Sequence, residues 1–572
     1  MVERLTGIVA SQGLAIGPAY IFEKEKVDVV KTEIAETDVD AHQEKLKGAF
    51  AHYLKELESR TSGSEEEVAV VRAHIELLSD PYFIETALTK VRTNRVSCDW
   101  ALRETVDEMA AMIESLDDPY LRERAADYRD IGQQVLYALR GIDAADLSDL
   151  TEDCIIISEE LTPSDTSTMN KQHVLGFAND LGGKTSHTSI IAQTLGIPAL
   201  VGMQRVTGRV KQGDVLILDA LDAQNGCLII NPEEETLQAY RKKMQALEEE
   251  KAHLEEVKNL EAVTRDGHHV EVACNMGNLE DLDRGLSYGA DGVGLFRTEF
   301  LYMENTHFPT EEEQFVVYKA AAEKLGSRAL LIRTLDIGGD KGLSYYEFPK
   351  EENPFLGWRA LRVCFDKEDV FRDQIRAILR ASAFGNVKFL LPMVISVEEI
   401  QHVQERIAQY KEELRKEGKA FNESVDVGIM VETPASAILA EELIRYCDYF
   451  SIGTNDLTQY VLAVDRGNER ITNLYNTYHP AVLRSIARVI RASHEAGKWT
   501  GMCGGFAGDT DATYLLLGMG LDEFSAPAAK VPKVKDLIRT ANFEEARAFA
   551  ENVLACGTLR EVEKLIEENA HR

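Results

Sequence analysis

Positive charge is the scarce commodity in this chain: 63 Lys and Arg stand against 97 Asp and Glu, a formal net charge of -34 at pH 7. That balance excludes a generally basic surface of the kind non-specific nucleic-acid binding requires, and it works against anionic membranes. A basic protein partner would instead be steered towards it. Cysteine is sparse and scattered, with eight residues (Cys98, Cys154, Cys227, Cys274, Cys364, Cys447, Cys503 and Cys556) and no C-x-x-C pair. A zinc ribbon and a thioredoxin-like motif are therefore not indicated. No apolar run approaches membrane-spanning length, and the first residues lack the layout of a signal peptide. The expectation is a protein of the reducing cytoplasm, with no membrane insertion and no nucleic-acid partner. What is present, 44% hydrophobic and 28% charged residues over 572 positions, is globular in class and too long for one core. Two to four domains are expected.

The richest local chemistry lies in Gly182-Gly183-Lys184-Thr185-Ser186-His187-Thr188-Ser189, which runs into Ile190, Ile191 and Leu195. Glycines permit a tight turn and the close approach of a bulky anion. The apolar spacing that follows predicts a helix, whose first N–H groups would face that anion. Phosphate beside His187 is the natural occupant, because neutral imidazole is a competent nucleophile at pH 7. A Walker-type loop would need glycine where Ala178 stands, so Gly183-Lys184-Thr185 does not complete that fingerprint. The plain alternative is a turn histidine satisfied by local hydrogen bonds.

Around this turn the chain divides by pattern. Short strands, Ile8–Ala10 and Ala19–Phe22, open it. From about residue 32 to 145 apolar residues recur at helical spacing: Leu46, Phe50, Leu54 and Leu57, then Val68, Val71, Ile75 and Leu78. Breaks fall at Ser62-Gly63, Asp80-Pro81 and Asp118-Pro119, which predicts an inserted bundle of antiparallel helices. Its acidic faces include Glu65, Glu66, Glu67, Glu76 and Asp80. Strands resume at Ile155–Ile157, Val174–Phe177, Val215–Leu218 and Cys227–Ile230. Asn231-Pro232-Glu233 reads as a helix start, followed by a long amphipathic connector of roughly 40 Å. Beyond residue 262, eight strand signals alternate with helices: 269–274, 292–296, 330–333, 387–392, 427–431, 449–452, 499–502 and 523–525. The fold class is thus multidomain α/β. An α/β domain (1–31 with 146–230) carries the helical insert (32–145), and a linker helix (231–261) leads to a (β/α)8 TIM barrel (262–572).

Barrel chemistry sits at the C-terminal ends of the strands. There the sequence places Arg297, Arg333, Glu432, Asn455, Asp456 and Cys503, with Arg466 shortly after. Two carboxylates, Glu432 and Asp456, suit a hard cation such as Mg2+, completed by substrate oxygens and water. Three guanidinium groups suit phosphate and carboxylate together, and Asn455 can donate an amide hydrogen bond. Cys503, between glycines in Gly501-Met502-Cys503-Gly504-Gly505, would be protonated at pH 7 and able to give a proton to an enolate. A packing role is its alternative.

The stretches Thr162-Pro163-Ser164, Gly182 to His187, Val293 to Phe300, Arg333 to Lys341, Ser451 to Tyr460 and Gly501 to Gly504 resemble, in order and over nearly the whole chain, the signatures of Enzyme I of the bacterial sugar phosphotransferase system. The resemblance implies that phosphoenolpyruvate binds with Mg2+ at the barrel mouth and phosphorylates His187 on the nitrogen far from the side-chain stem. The phosphoryl group then passes to a histidine of the small carrier HPr. It implies Glu432 and Asp456 as metal ligands and Arg297, Arg333, Asn455, Asp456 and Arg466 as substrate-binding positions, with Arg359 of Gly357-Trp358-Arg359 a further member. Cys503 matches the proton donor that converts the leaving enolate to pyruvate. The helical insert matches the HPr-docking domain, and the barrel the homodimer contact. Lys184 stands where the family commonly has arginine, and Gly505 where glutamate is usual. Residues 526–529 are also less typical. Pyruvate-phosphate dikinase and phosphoenolpyruvate synthase share the histidine turn and barrel, and form the alternative reading. Both need an ATP-binding domain, whereas the region before His187 reads as a helical bundle without a phosphate-cradling glycine loop. A non-catalytic scaffolding relative is a third reading.

Overall fold

The computed structural model describes residues 3–24, 27–59, 65–115, 119–142, 147–148, 150–183, 186–222, 224–338, 341–468 and 470–570. The breaks expected at Ser62-Gly63 and Asp118, and the residues Lys184 and Thr185, lie outside that set. Contacts divide the chain into two compact units, Met1–Glu248 and Glu249–Arg572.

In the first unit seven strands close into a small barrel: β1 (Glu3–Ser11), β2 (Leu14–Phe22), β3 (Cys154–Ser158), β4 (Val174–Asn179), β5 (Ala199–Val201), β6 (Val215–Asp219) and β7 (Gly226–Ile230). Their order around the barrel is β1-β5-β4-β3-β2-β6-β7. Strand β5 is absent from the sequence expectations, because three buried residues are too short to display an alternation. Between β2 and β3 come five helices: Val39–Ser59, Glu65–Leu78, Pro81–Asn94, Cys98–Glu114 and Pro119–Arg140. Phe83 sits at the centre of their core, fully buried, with Phe50 and Tyr128 meeting it edge-on at ring separations of 5.4 and 5.5 Å. Asp80 caps the third helix by accepting from the Tyr82 N–H, and Pro81 occupies its first turn. The same helix ends on Arg95 in the left-handed region, a break that no glycine or proline advertises.

The connector is a helix from Glu234 to Val257. At 24 residues it spans roughly 36 Å, slightly less than the pattern predicts. Asn231 does not cap it. The residue takes a positive φ of 46° and locks the approach to the helix onto β6: its amide donates to Asp214 at 2.9 Å and accepts from the Val215 N–H.

The second unit contains eight strands, β8 (Glu271–Met276), β9 (Val293–Arg297), β10 (Ala329–Arg333), β11 (Asn386–Leu391), β12 (Val427–Val431), β13 (Phe450–Ile452), β14 (Thr500–Met502) and β15 (Glu523–Ala526). All are parallel and they close into one barrel, as the strand–helix alternation predicts. Outward-facing Val, Ile, Leu and Phe pack beneath the surrounding helices. Inward-facing residues form a smaller cluster of Leu295, Leu331, Leu390, Met430, Tyr449 and Cys503. The strand ends are therefore held on a rigid ring, which is what positions the site.

Candidate functional site

At the C-terminal mouth of the eight-stranded barrel lies a cavity of about 290 Å³. Its lining includes Arg297, Arg333, Arg359, Glu432, Asn455, Asp456, Arg466 and Cys503, so all eight barrel residues singled out from sequence converge on it. Glu299, Asp336 and Lys341 join them. Five cationic side chains thus meet four carboxylates, and a chain of net charge -34 concentrates positive charge where a small anion would sit.

These cations fall into two classes. Arg333 and Arg359 are almost fully buried and already partnered. Arg333 donates to Glu299 at 2.5 Å and lies 3.1 Å from Asp336. Arg359 donates to both Asp336 oxygens, at 2.9 and 3.1 Å, and to the Tyr460 hydroxyl at 3.2 Å. Lys341 reaches Glu299 and Asp336, each at 3.0 Å. Burial alone would raise the pKa of Asp336, but Arg333, Arg359 and Lys341 outweigh it and hold the carboxyl well below the usual range. The same contest leaves Glu299 lowered. Arg297 and Arg466 are half-buried, and among the described residues neither makes an ion pair. The first pair is a preset frame, and the second is free to take a ligand. Sequence reasoning named the arginines and passed over Glu299 and Asp336, although both lie inside the stretches that carried the family resemblance. Their role is visible only once Arg333 and Arg359 are known to be buried, since a buried guanidinium needs its counter-charge.

Glu432 and Asp456 are both buried. Burial, and then the charge of Asp456, push Glu432 up to about 8. One Glu432 oxygen accepts from the Met393 N–H at 2.7 Å. Asp456 Oδ1 has no hydrogen-bond partner among the described residues, and Oδ2 lies 3.6 Å from Arg359. No cluster of three or more candidate ligands exists among the described residues. Among the described residues there is therefore no ready-made protein cage. Two carboxylates that repel one another, one with an orphaned oxygen, fit a hard divalent cation that takes its remaining ligands from substrate and water. Asn455 accepts from the Gly505 N–H at 3.2 Å, and a side chain at Gly505 would meet only that same oxygen. Cys503 is buried, and burial pushes its thiol up to about 11, above the ordinary value assumed from sequence.

His187 opens the helix His187–Leu195 of the first unit. The turn before it is built locally. Gly182 takes a φ of 100°, Ser189 donates its hydroxyl to the Gly183 carbonyl at 2.6 Å, and Thr188 donates to the Leu161 carbonyl at 2.9 Å. The last bond ties the helix to the Thr162 turn. Thr162 caps the helix Pro163–Thr168 and donates to Asp165, while Lys24 donates to Thr162 at 2.9 Å and pairs with Asp165 at 2.6 Å.

Comparison with known proteins covers nearly the whole chain. The family models for PEP-utilising enzymes match in three parts: the N-terminal domain over residues 6–124, the mobile domain over 150–222 and the PEP-binding domain over 251–543. A phosphoenolpyruvate-protein phosphotransferase of Haemophilus influenzae is 46% identical over 99% of this chain and 98% of its own length. Proteins of the same name from Geobacillus stearothermophilus and Bacillus subtilis are 44% and 42% identical, each over 99% of this chain and 98% and 100% of their own lengths.

Proposed function

The chain belongs to the phosphoenolpyruvate-protein phosphotransferases, the Enzyme I family, and from that premise we propose how its residues divide the work. Enzymes of this family move the phosphoryl group of phosphoenolpyruvate through a phosphohistidine. In this chain His187 is the acceptor and Nε2 the attacking atom. The observation that carries the reading is the convergence of Arg297, Arg333, Arg359, Asn455, Asp456 and Arg466 on one cavity of net positive charge.

Arg297 and Arg466, unpaired among the described residues, take the phosphate and carboxylate of phosphoenolpyruvate by charge-assisted hydrogen bonds. Arg333 and Arg359, fixed by Glu299 and Asp336, fill the remaining positions without needing to reorganise as charge moves. Asn455 orients the substrate through its amide. Glu432 and Asp456 would hold Mg2+, which when bound neutralises phosphate oxygens. Attack of His187 on phosphorus breaks the bond to the bridging oxygen and leaves the enolate of pyruvate. Cys503 gives its proton to the enolate methylene carbon, so a new C–H bond forms as the S–H bond breaks. The phosphoryl group is then passed to a histidine of HPr, for which the acidic helical insert is the docking surface. The barrel carries the homodimer contact, and the exposed Ile438, Leu439 and Tyr446 on its outer helices support that placement.

Incubation with phosphoenolpyruvate and Mg2+, followed by mapping of acid-labile phosphate, tests the reading. The label is expected on His187 and lost in His187→Ala. An unmodified His187 in the wild-type chain would overturn it. ATP-dependent labelling is the signature of the dikinase alternative.

A further inference from the structure

Two of the strand ends that carry the substrate cavity are held from outside the barrel by one amide. Gln374 lies on the helix Glu368–Ala381 and is fully buried. Its Oε1 accepts from the Leu335 N–H at 2.8 Å, just past the end of β10. Its Nε2 donates to Thr298 Oγ1 at 3.1 Å, just past the end of β9, and to the Tyr318 hydroxyl at 3.4 Å. Thr298 in turn donates to the Arg333 carbonyl at 2.8 Å, which closes a loop of bonds between the two strands. Leu335 and Thr298 are both buried. In sequence Leu335 lies between Arg333 and Asp336, and Thr298 lies between Arg297 and Glu299. All four of those flanking residues line the cavity, and Arg297 stands in register with Arg333.

The direction of every bond on this path is fixed. A backbone N–H only donates, so Leu335 must face the Gln374 oxygen, and the NH2 group is sent to Thr298 and Tyr318. Thr298 accepts there and keeps its single hydrogen for the Arg333 carbonyl. Tyr318 accepts likewise and gives its hydrogen to Gln314 Oε1 at 3.0 Å, an oxygen that also accepts from Tyr302 at 3.2 Å. Gln314 belongs to the helix Glu311–Leu325, so the path ends on a second outer helix. Turning any one member round would set two donors or two acceptors against each other, which is costly under burial.

We propose that Gln374 is a positioning residue for substrate binding: by tying the ends of β9 and β10 together, it sets the separation between Arg297 and Glu299 on one side and Arg333 and Asp336 on the other. The inference rests on the phosphoenolpyruvate reading of the cavity given above. Gln374 sits on an outer helix and acts through Thr298 and Leu335, not on the substrate itself. The ion pair from Arg333 to Glu299 crosses the gap between the two strand ends at 2.5 Å. Asp336, on the turn that Gln374 holds, pairs with both Arg333 and Arg359. A shift of the Leu335 peptide therefore carries Asp336 and, through it, Arg359. Ion pairs alone tolerate a range of separations, whereas hydrogen bonds weaken steeply with misalignment. Misplacing a binding frame by about 1 Å can cost on the order of 100-fold in rate.

The test measures the two half-reactions separately, as kcat/KM for phosphoenolpyruvate and kcat/KM for HPr, with Mg2+ present. Gln374→Met keeps the length of the side chain but has no amide to bond Leu335 or Thr298. Thr298→Val keeps the shape and removes the hydroxyl. Each is expected to lower kcat/KM for phosphoenolpyruvate by about tenfold and to leave that for HPr unchanged. The double variant is expected to fall no further than the worse single one, because both changes cut one path. Loss of both constants by the same factor, loss of neither, or a double variant at the product of the single effects would overturn the proposal. Thr298→Val decides the matter alone should Gln374→Met fail to fold. His187 labelling of the wild-type chain is measured alongside. If it is absent, the phosphotransfer reading fails. If it is normal while the variants keep the wild-type constant for phosphoenolpyruvate, the Gln374 tie alone fails.

Discussion

Single side chains at the barrel mouth set the chemistry through their neighbours rather than their own ordinary properties. Asp336 is the clearest case, because one buried carboxylate faces Arg333, Arg359 and Lys341. Its removal leaves buried cations without a counter-charge, which typically costs about 3–5 kcal/mol. Asp336→Asn is therefore expected to lower unfolding stability by that order in denaturant titration, and to raise KM for phosphoenolpyruvate as Arg359 loses its anchor. The sign with pH is fixed too. A carboxyl whose folded pKa lies below its unfolded value contributes stability above the ordinary aspartate range, near 4, and loses it as pH falls through the folded value. Wild type should lose stability more steeply than Asp336→Asn on acidification below pH 4. Glu523 works in the opposite sense, since its folded pKa of about 8 exceeds the unfolded one. The native state keeps a proton that the unfolded chain gives up, so stability falls as pH rises from about 4.5 to 8. Glu523→Gln removes that loss, and its stability relative to wild type should grow between pH 5 and pH 8 in thermal melts.

At the scale of elements, legibility in the sequence followed periodicity. All eight barrel strands announce themselves as apolar runs between glycines and polar ends, and each is found within about two residues of its expected limits. Strand β5 and the break at Arg95 are not announced, because one is held by its neighbours' register and the other by a left-handed residue with no glycine. The cavity was readable as a set of strand-end arginines and acids, whereas the pairing of Glu299 and Asp336 with those arginines was not. Linear order carries no signal that Glu299 is buried against Arg333, or Asp336 against Arg359, and the three-residue spacing of Arg333 and Asp336 does not by itself reveal that both are buried. Between helices the packing is close enough to test. A Cβ on Gly132 would stand 2.4 Å from Val106 Cγ2, a stiff β-branched neighbour on the facing helix. Alanine gains about 1 kcal/mol of helix propensity, but overpacking of this kind costs about 1–3 kcal/mol. Gly132→Ala should therefore lower the melting temperature of the helical insert rather than raise it. On the barrel's outside, Arg376 is 2% exposed and joins Glu311, Glu413 and Glu417 at 2.5, 3.2 and 2.7 Å. Three helices share that one guanidinium, and Arg376→Ala should destabilise the second unit by several kcal/mol in denaturant titration.

For the molecule as a whole, the division into units falls inside the helix Glu234–Val257. Within the first unit Leu237 and Tyr240 pack against β6 and β7, and Lys243 pairs with Asp219. Within the second, Glu250 pairs with Lys533, His253 with Asp536 at 2.8 Å, and the Lys258 carbonyl accepts from the buried Lys535. Asn231 is tied to Asp214, and Ala262 is buried. Between the two sets of ties, residues 244–249 are exposed or half-exposed. Proline at Ala246 would disrupt the helix there at a cost of about 3 kcal/mol. Ala246→Pro is expected to slow His187 phosphorylation by phosphoenolpyruvate several-fold while each unit keeps its own melting transition. A uniform fall in both transitions would show the helix to be a structural part of one unit instead. The consequence is mechanical. Each unit holds its own end of one helix, and residues 244–249 between those ends are exposed or half-exposed, so the compliance of that short stretch depends on the intrinsic helix propensity of its residues. Stiffness there could drift through surface substitutions without disturbing either the arginine-lined barrel mouth or the histidine turn.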